Sequence, residues 1–73
     1  MSDIREVPIH DAAIRLGQLL KLAGVVQDGV MARSVIENGE VTVDDQVVTR
    51  RGVQVRPGSV VSYGDERLRV TAG

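Results

Sequence analysis

At Gly39 the spacing of the apolar residues changes, and that change constrains the fold more than any other feature of the chain. Before it, Ala12, Leu16, Leu19, Leu20 and Ala23 fall on one helical face, and Met31, Ala32, Val35 and Ile36 share another. After it, Val41 and Val43 alternate with Glu40 and Thr42, and Val53 and Val55 alternate again. A spacing near 3.6 residues marks a helix face, and a spacing of two marks a strand. Helices therefore come first and strands second. The chain reads as α+β, with two short N-terminal helices packed on a small, mostly antiparallel sheet, a stable two-layer arrangement for so short a chain.

Local signals set the expected boundaries. Asp11 is placed to cap a first helix over 12–23, and Gly24 suits the left-handed position beyond its end. Asp28 is placed to cap a second helix over 29–38, closed by Asn38-Gly39, with Val25 and Val26 sealing the turn between the two. Asp44-Asp45-Gln46 reads as a tight turn between Val41–Val43 and a return strand over Val47–Thr49. Arg50-Arg51-Gly52 is a basic corner, and Pro57-Gly58 has type II turn chemistry. Further strands are expected at 60–63 and 68–70, with a turn at 64–66. Residues 1–10 form an N-terminal arm, whose Ile4, Val7 and Ile9 can cover part of the core as a short strand. Residues 11–73 form a single domain.

What is missing narrows the chemistry. The chain has no cysteine and one histidine, His10, so thiolate and histidine-rich metal sites are excluded. A cysteine-free sequence fits a reducing compartment. No apolar run approaches the roughly 18 residues of a membrane span, and the first residues lack an apolar signal region, so a cytoplasmic location is expected. There is no plausible Ser-His-Asp set. The closest carboxylates, Asp44 and Asp45, are neighbours in a turn and point apart, and the glycines lie singly rather than in a phosphate-binding loop. The expectation is a protein that is not an enzyme, with no cofactor, metal or small-molecule substrate.

The basic residues carry the remaining signal. Nine Lys and Arg are balanced by ten Asp and Glu, giving a net charge of −1, so a nucleic-acid site has to be a local patch. Tyr63 is the sole aromatic residue, which argues against base stacking as the main binding mode. Arg15, Gln18 and Lys21 recur at spacing three, opposite the apolar face of the first helix. Lys21, Arg33 on the second helix, and Arg50 and Arg51 at the corner are the candidate contacts for one RNA strand, because the arginine fork donates two hydrogen bonds to a phosphate. Blander readings stand beside this one. Lys21 is equally suited to a solvated helix face, and Arg33 to an ion pair with Glu37 one turn on. Arg67 and Arg69 fit the exposed face of an edge strand, which would also suit an adaptor that binds a protein by strand addition.

Three stretches, taken in order, resemble a known family: Leu16-Gly17-Gln18-Leu19-Leu20-Lys21-Leu22-Ala23-Gly24, then Ala32-Arg33 with Ile36 and Gly39, then Val41-Thr42-Val43-Asp44. They resemble the RNA-binding domain named after ribosomal small-subunit protein four, the αL motif. With Thr49-Arg50-Arg51-Gly52 they look most like the small stand-alone bacterial YbcJ-like RNA-binding proteins. The resemblance implies binding of structured RNA, ribosomal or transfer RNA among the candidates, on a surface made by both helices and the hairpin. It implies a phosphate-contact role for Lys21, Arg33, Arg50 and Arg51, and a polar contact from Gln18. It also implies a possible place on the ribosome. Two departures stand out. Asp28-Gly29 replaces the Ser-Arg pair common at the start of the second helix, and Asp44-Asp45-Gln46 replaces Asn-Gly-Lys in the hairpin turn. Both lower the positive charge near the proposed surface, which should make binding selective or weak.

Overall fold

A computed structural model describes residues 4–73; the first three residues of the expected N-terminal arm lie outside them. The element order is β1 (Ile4–Ile9), β2 (Ile14–Arg15), α1 (Leu16–Leu22), α2 (Gly29–Glu37), β3 (Val41–Val43), β4 (Gln46–Val47), β5 (Gln54–Val55), β6 (Val60–Tyr63) and β7 (Glu66–Ala72). Five strands make one sheet in the order β1-β7-β6-β3-β4, antiparallel except for the β1–β7 pair, and β2 with β5 makes a separate two-stranded ribbon. This is the α+β arrangement read from the apolar spacing.

One face of the sheet packs on the helices. Val7 and Ile9 of β1, Leu68 and Val70 of β7, Val61 of β6 and Val41 of β3 meet Leu16, Leu19 and Leu20 of α1 and Ala32, Val35 and Ile36 of α2, all buried. Burying one such aliphatic side chain contributes about 1.5–3 kcal/mol, most of it offset by the entropy of ordering the chain. A core of this size leaves a net stability of roughly 3–5 kcal/mol.

Helix two matches its expected bounds to within a residue. The Asp28 carboxylate accepts a hydrogen bond from the Met31 N–H at 2.8 Å, and Asn38 is the C-cap. Met31 is 39% exposed, so only Ala32, Val35 and Ile36 of its expected face reach the core.

Helix one differs. It starts at Leu16 rather than residue 12, Asp11 does not cap it, and Ala12 is exposed. The cause is tertiary. Ile14 and Arg15 pair with Val55 and Gln54, which holds them extended. The first N–H groups of the helix then donate to backbone carbonyls of the following loop, Leu16 to Val53 at 2.9 Å and Gly17 to Arg51 at 3.2 Å. At the other end Gly24 takes a left-handed φ of 74°, as expected past a helix terminus. The Arg5 guanidinium donates to the Ala23 carbonyl, setting a positive charge at the negative end of the helix dipole.

Two further expectations are corrected in the sheet. The return strand after the Asp44-Asp45 turn is Gln46–Val47; the Val48 N–H still donates to the Val41 carbonyl at 3.1 Å, and Thr49 lies beyond the strand. The turn is tighter than expected, two residues rather than three, because Gln46 already pairs with Val43: Asp44 and Asp45 both have positive φ, 51° and 69°, the signature of a type I′ hairpin. The Asp44 carboxylate accepts from the Val60 N–H at 3.0 Å, so this acid holds β6 against the turn.

Strand β7 is not an edge. It runs between β1 and β6, so Arg67 and Arg69 lie on an exposed face while their backbone is paired on both sides. The free edges of the sheet are β1 and β4. On β1 the Ile9 carbonyl accepts from Gly73, so Val7 and Arg5 also turn their backbone groups toward β7, and Pro8 turns outward. A proline there costs the sheet no hydrogen bond and removes a donor from the open edge. The strand-addition surface expected near Arg67–Val70 is therefore absent.

Candidate nucleic-acid interface

The interface is set by how α1 begins. The two carbonyls that receive its first N–H groups belong to Arg51 and Val53, so the basic corner is tied to the start of the helix. A β-carbon at Gly17 would sit 3.5 Å from the Arg51 Cβ and 4.0 Å from the Ala32 Cβ, ordinary contact distances, so the corner and α2 both pack close to this position. The corner, α1 and α2 thus meet at one glycine.

Beside this junction lies an open cleft of about 370 Å³ lined by Arg15, Gly17, Gln18, Lys21, Gly29, Arg51 and Gly52. Three cations converge on it and no carboxylate lines it. That contrasts with the net charge of −1 for the whole chain. Three of the lining residues are glycines, so no side chain at those positions keeps a phosphodiester from the cleft wall. Among the described residues, Arg15, Lys21 and Arg51 have no ion-pair partner, so their donors face solvent.

Of the residues singled out in the sequence, Lys21, Gln18 and Arg51 come together in this cleft. Arg33 and Arg50 do not line it. Arg33 sits one turn beyond Gly29 on α2, and its Nε donates to Glu37 Oε2 at 2.9 Å in a half-exposed ion pair. Arg50 is exposed at the corner, and its carbonyl accepts from the Val53 N–H at 3.3 Å. The acidic turn residues Asp44 and Asp45 do not line the cleft either. Arg15 is the cation that sequence reasoning left out of the site. Its signal was the stripe Arg15–Gln18–Lys21 at spacing three, which continues across the start of α1 even though Arg15 itself is extended.

A family model described as the S4 domain matches residues 7–71. The chain belongs to the S4 domain family. This S4 domain is 44% identical over 55 residues to "Probable ribosome maturation protein RlbA" of Bacillus subtilis (strain 168), the match covering 75% of this chain and 78% of that protein. It is 41% identical over 71 residues to the tyrosine–tRNA ligase of Burkholderia lata, covering 94% of this chain but 17% of the ligase. Among solved structures it is similar to the solution structure of YbcJ from Escherichia coli, described as revealing an αL motif involved in RNA-binding. That likeness has a TM-score of 0.67 at 32% identity and covers 99% of this chain and 92% of YbcJ. The S4 domain here therefore has the αL fold that the ordered motifs implied. No helix among the described residues is long and apolar enough to cross a membrane.

Proposed function

We propose that this chain binds structured RNA in the cleft between α1, α2 and the 50–53 corner, holding phosphates and catalysing no reaction. The observation that carries this reading is the convergence of Arg15, Lys21 and Arg51, all without ion-pair partners among the described residues, on a glycine-walled cleft in a chain whose total charge is negative. Arg50 adjoins the cleft at the corner and extends the positive track, whereas Arg33 is held in its ion pair with Glu37. Gln18, in the cleft itself, offers an amide to a ribose hydroxyl or a base edge.

Structured RNA fits better than an unstructured strand. The described site lacks aromatic side chains, so stacking of successive bases has no platform, whereas backbone shape and ribose contacts need none. The names of the relatives favour RNA of the translation apparatus. A ribosome maturation protein and a tRNA ligase both carry sequence like this one, and ribosomal or transfer RNA in the cytoplasm is accordingly the target we assign.

The test is a titration of folded ribosomal and transfer RNA with the wild-type chain and an Arg50→Ala/Arg51→Ala variant across a salt series. The variant keeps the Arg51 carbonyl that holds α1, so circular dichroism should match the wild type. Its binding should weaken, and the slope of log K against log salt should fall by about two, roughly one per lost phosphate contact. Unchanged affinity with an unchanged slope would place the RNA surface elsewhere.

A further inference from the structure

A second groove adjoins the cationic cleft, and its chemistry is different. It has a volume of about 390 Å³ and shares Arg15 and Gln18 with the cleft, so these two side chains form the ridge between them. Its apolar lining comes from Ile9, Ala13, Ile14 and Leu22, the last 61% exposed. Besides Arg15 on the ridge, its polar groups are Gln18, Gln54 and one carboxylate, Asp11. Among the described residues none of these three side chains hydrogen-bonds within the protein.

A carboxylate beside a phosphate track repels the backbone, so this groove is unsuited to a second phosphate. It is suited to the other end of a nucleotide. A strand whose phosphates lie at Arg15, Lys21 and Arg51 can project an unpaired base across the ridge, with the apolar wall against the base plane. Among the four bases, guanine presents two adjacent donors, N1–H and the N2 amino group, that both oxygens of one carboxylate accept together. Adenine and cytosine offer an amino group next to an acceptor nitrogen that repels a carboxylate, and uracil offers one N–H between two carbonyls. Guanine O6 would then accept from a side-chain amide, which Gln18 and Gln54 both supply.

We infer that this groove is a base-reading subsite that selects an unpaired guanine in the bound RNA, with Asp11 as the discriminating residue. The inference rests on the RNA-binding role proposed above and adds sequence preference to it. Asp11 caps no helix in the fold, which leaves its carboxylate free for this role.

The experiment is a selection from a pool of stem-loop RNAs with a randomised loop, using the full chain and an Asp11→Asn variant, with bound RNA sequenced at low and moderate salt. The wild type should enrich guanine at one loop position by at least about fivefold, and Asp11→Asn should lose that enrichment while retaining the pool at least as well. Salt-dependent retention of the pool with no base enriched would overturn the inference and leave the phosphate cleft standing. Guanine enrichment that survived in Asp11→Asn would also overturn it. Failure of the wild type to retain any of the pool would overturn the proposed RNA binding itself, and the base-reading subsite with it.

Discussion

The two helices of this domain are started in different ways, and their cations differ accordingly. Helix α2 is begun by its own sequence, with Asp28 accepting from the Met31 N–H, and its arginine is spent on a neighbour one turn away, Glu37. Helix α1 has no side-chain cap. It begins where the carbonyls of Arg51 and Val53 receive its first N–H groups, and Lys21 and the preceding Arg15 stay unpaired among the described residues. The helix that depends on distant residues is thus the one that builds the cleft, because the loop that caps it also delivers Arg51. Stability of α1 and geometry of the site are one structural problem, whereas α2 supplies a wall.

This contrast can be broken most severely at the core side of α1. Leu20 is fully buried, and Leu20→Ala should cost about 2–5 kcal/mol, comparable to the roughly 3–5 kcal/mol available to a core this small. Urea unfolding should show the cooperative transition largely lost. A midpoint that barely moved would mean that α1 does not anchor the domain. Removing the local start of α2 should do less: Asp28→Ala should cost about 1 kcal/mol and leave a cooperative, folded domain with a lower midpoint. Smallest of all is the pair on the outer face of α2. Glu37→Gln should change stability by no more than about 0.2–0.5 kcal/mol, and thermal unfolding at two salt concentrations should find even that difference reduced at the higher one.

The same contrast explains what could be read from the sequence. Helix two was legible because Asp28, the apolar run and Asn38-Gly39 are contiguous. The start of helix one was not, because Asp11 has the right chemistry for a cap but Ile14 and Arg15 are held extended by Gln54 and Val55, far along the chain. The alternation of Arg67 and Arg69 around Leu68 gave the correct exposed face but no hint that β7 is interior, since its second neighbour is the N-terminal strand. At the site, Lys21 and Gln18 were visible as a helical stripe and Arg51 as part of a basic corner. That Arg51 is brought against Gly17, while Arg50 beside it is not in the cleft, follows from a backbone hydrogen bond that no spacing rule encodes.

The central claim is that unpaired cations in the α1 cleft, rather than basic residues in general, hold RNA phosphates. Salt-dependent binding of one folded RNA by the wild type, Lys21→Ala/Arg51→Ala and Arg33→Ala tests it most directly. The cleft variant should lose about two units of the log–log salt slope, and Arg33→Ala, whose partner is already Glu37, should change it by less than one. A cleft variant with the wild-type slope, or an Arg33→Ala slope reduced as far as that of the cleft variant, would contradict the account.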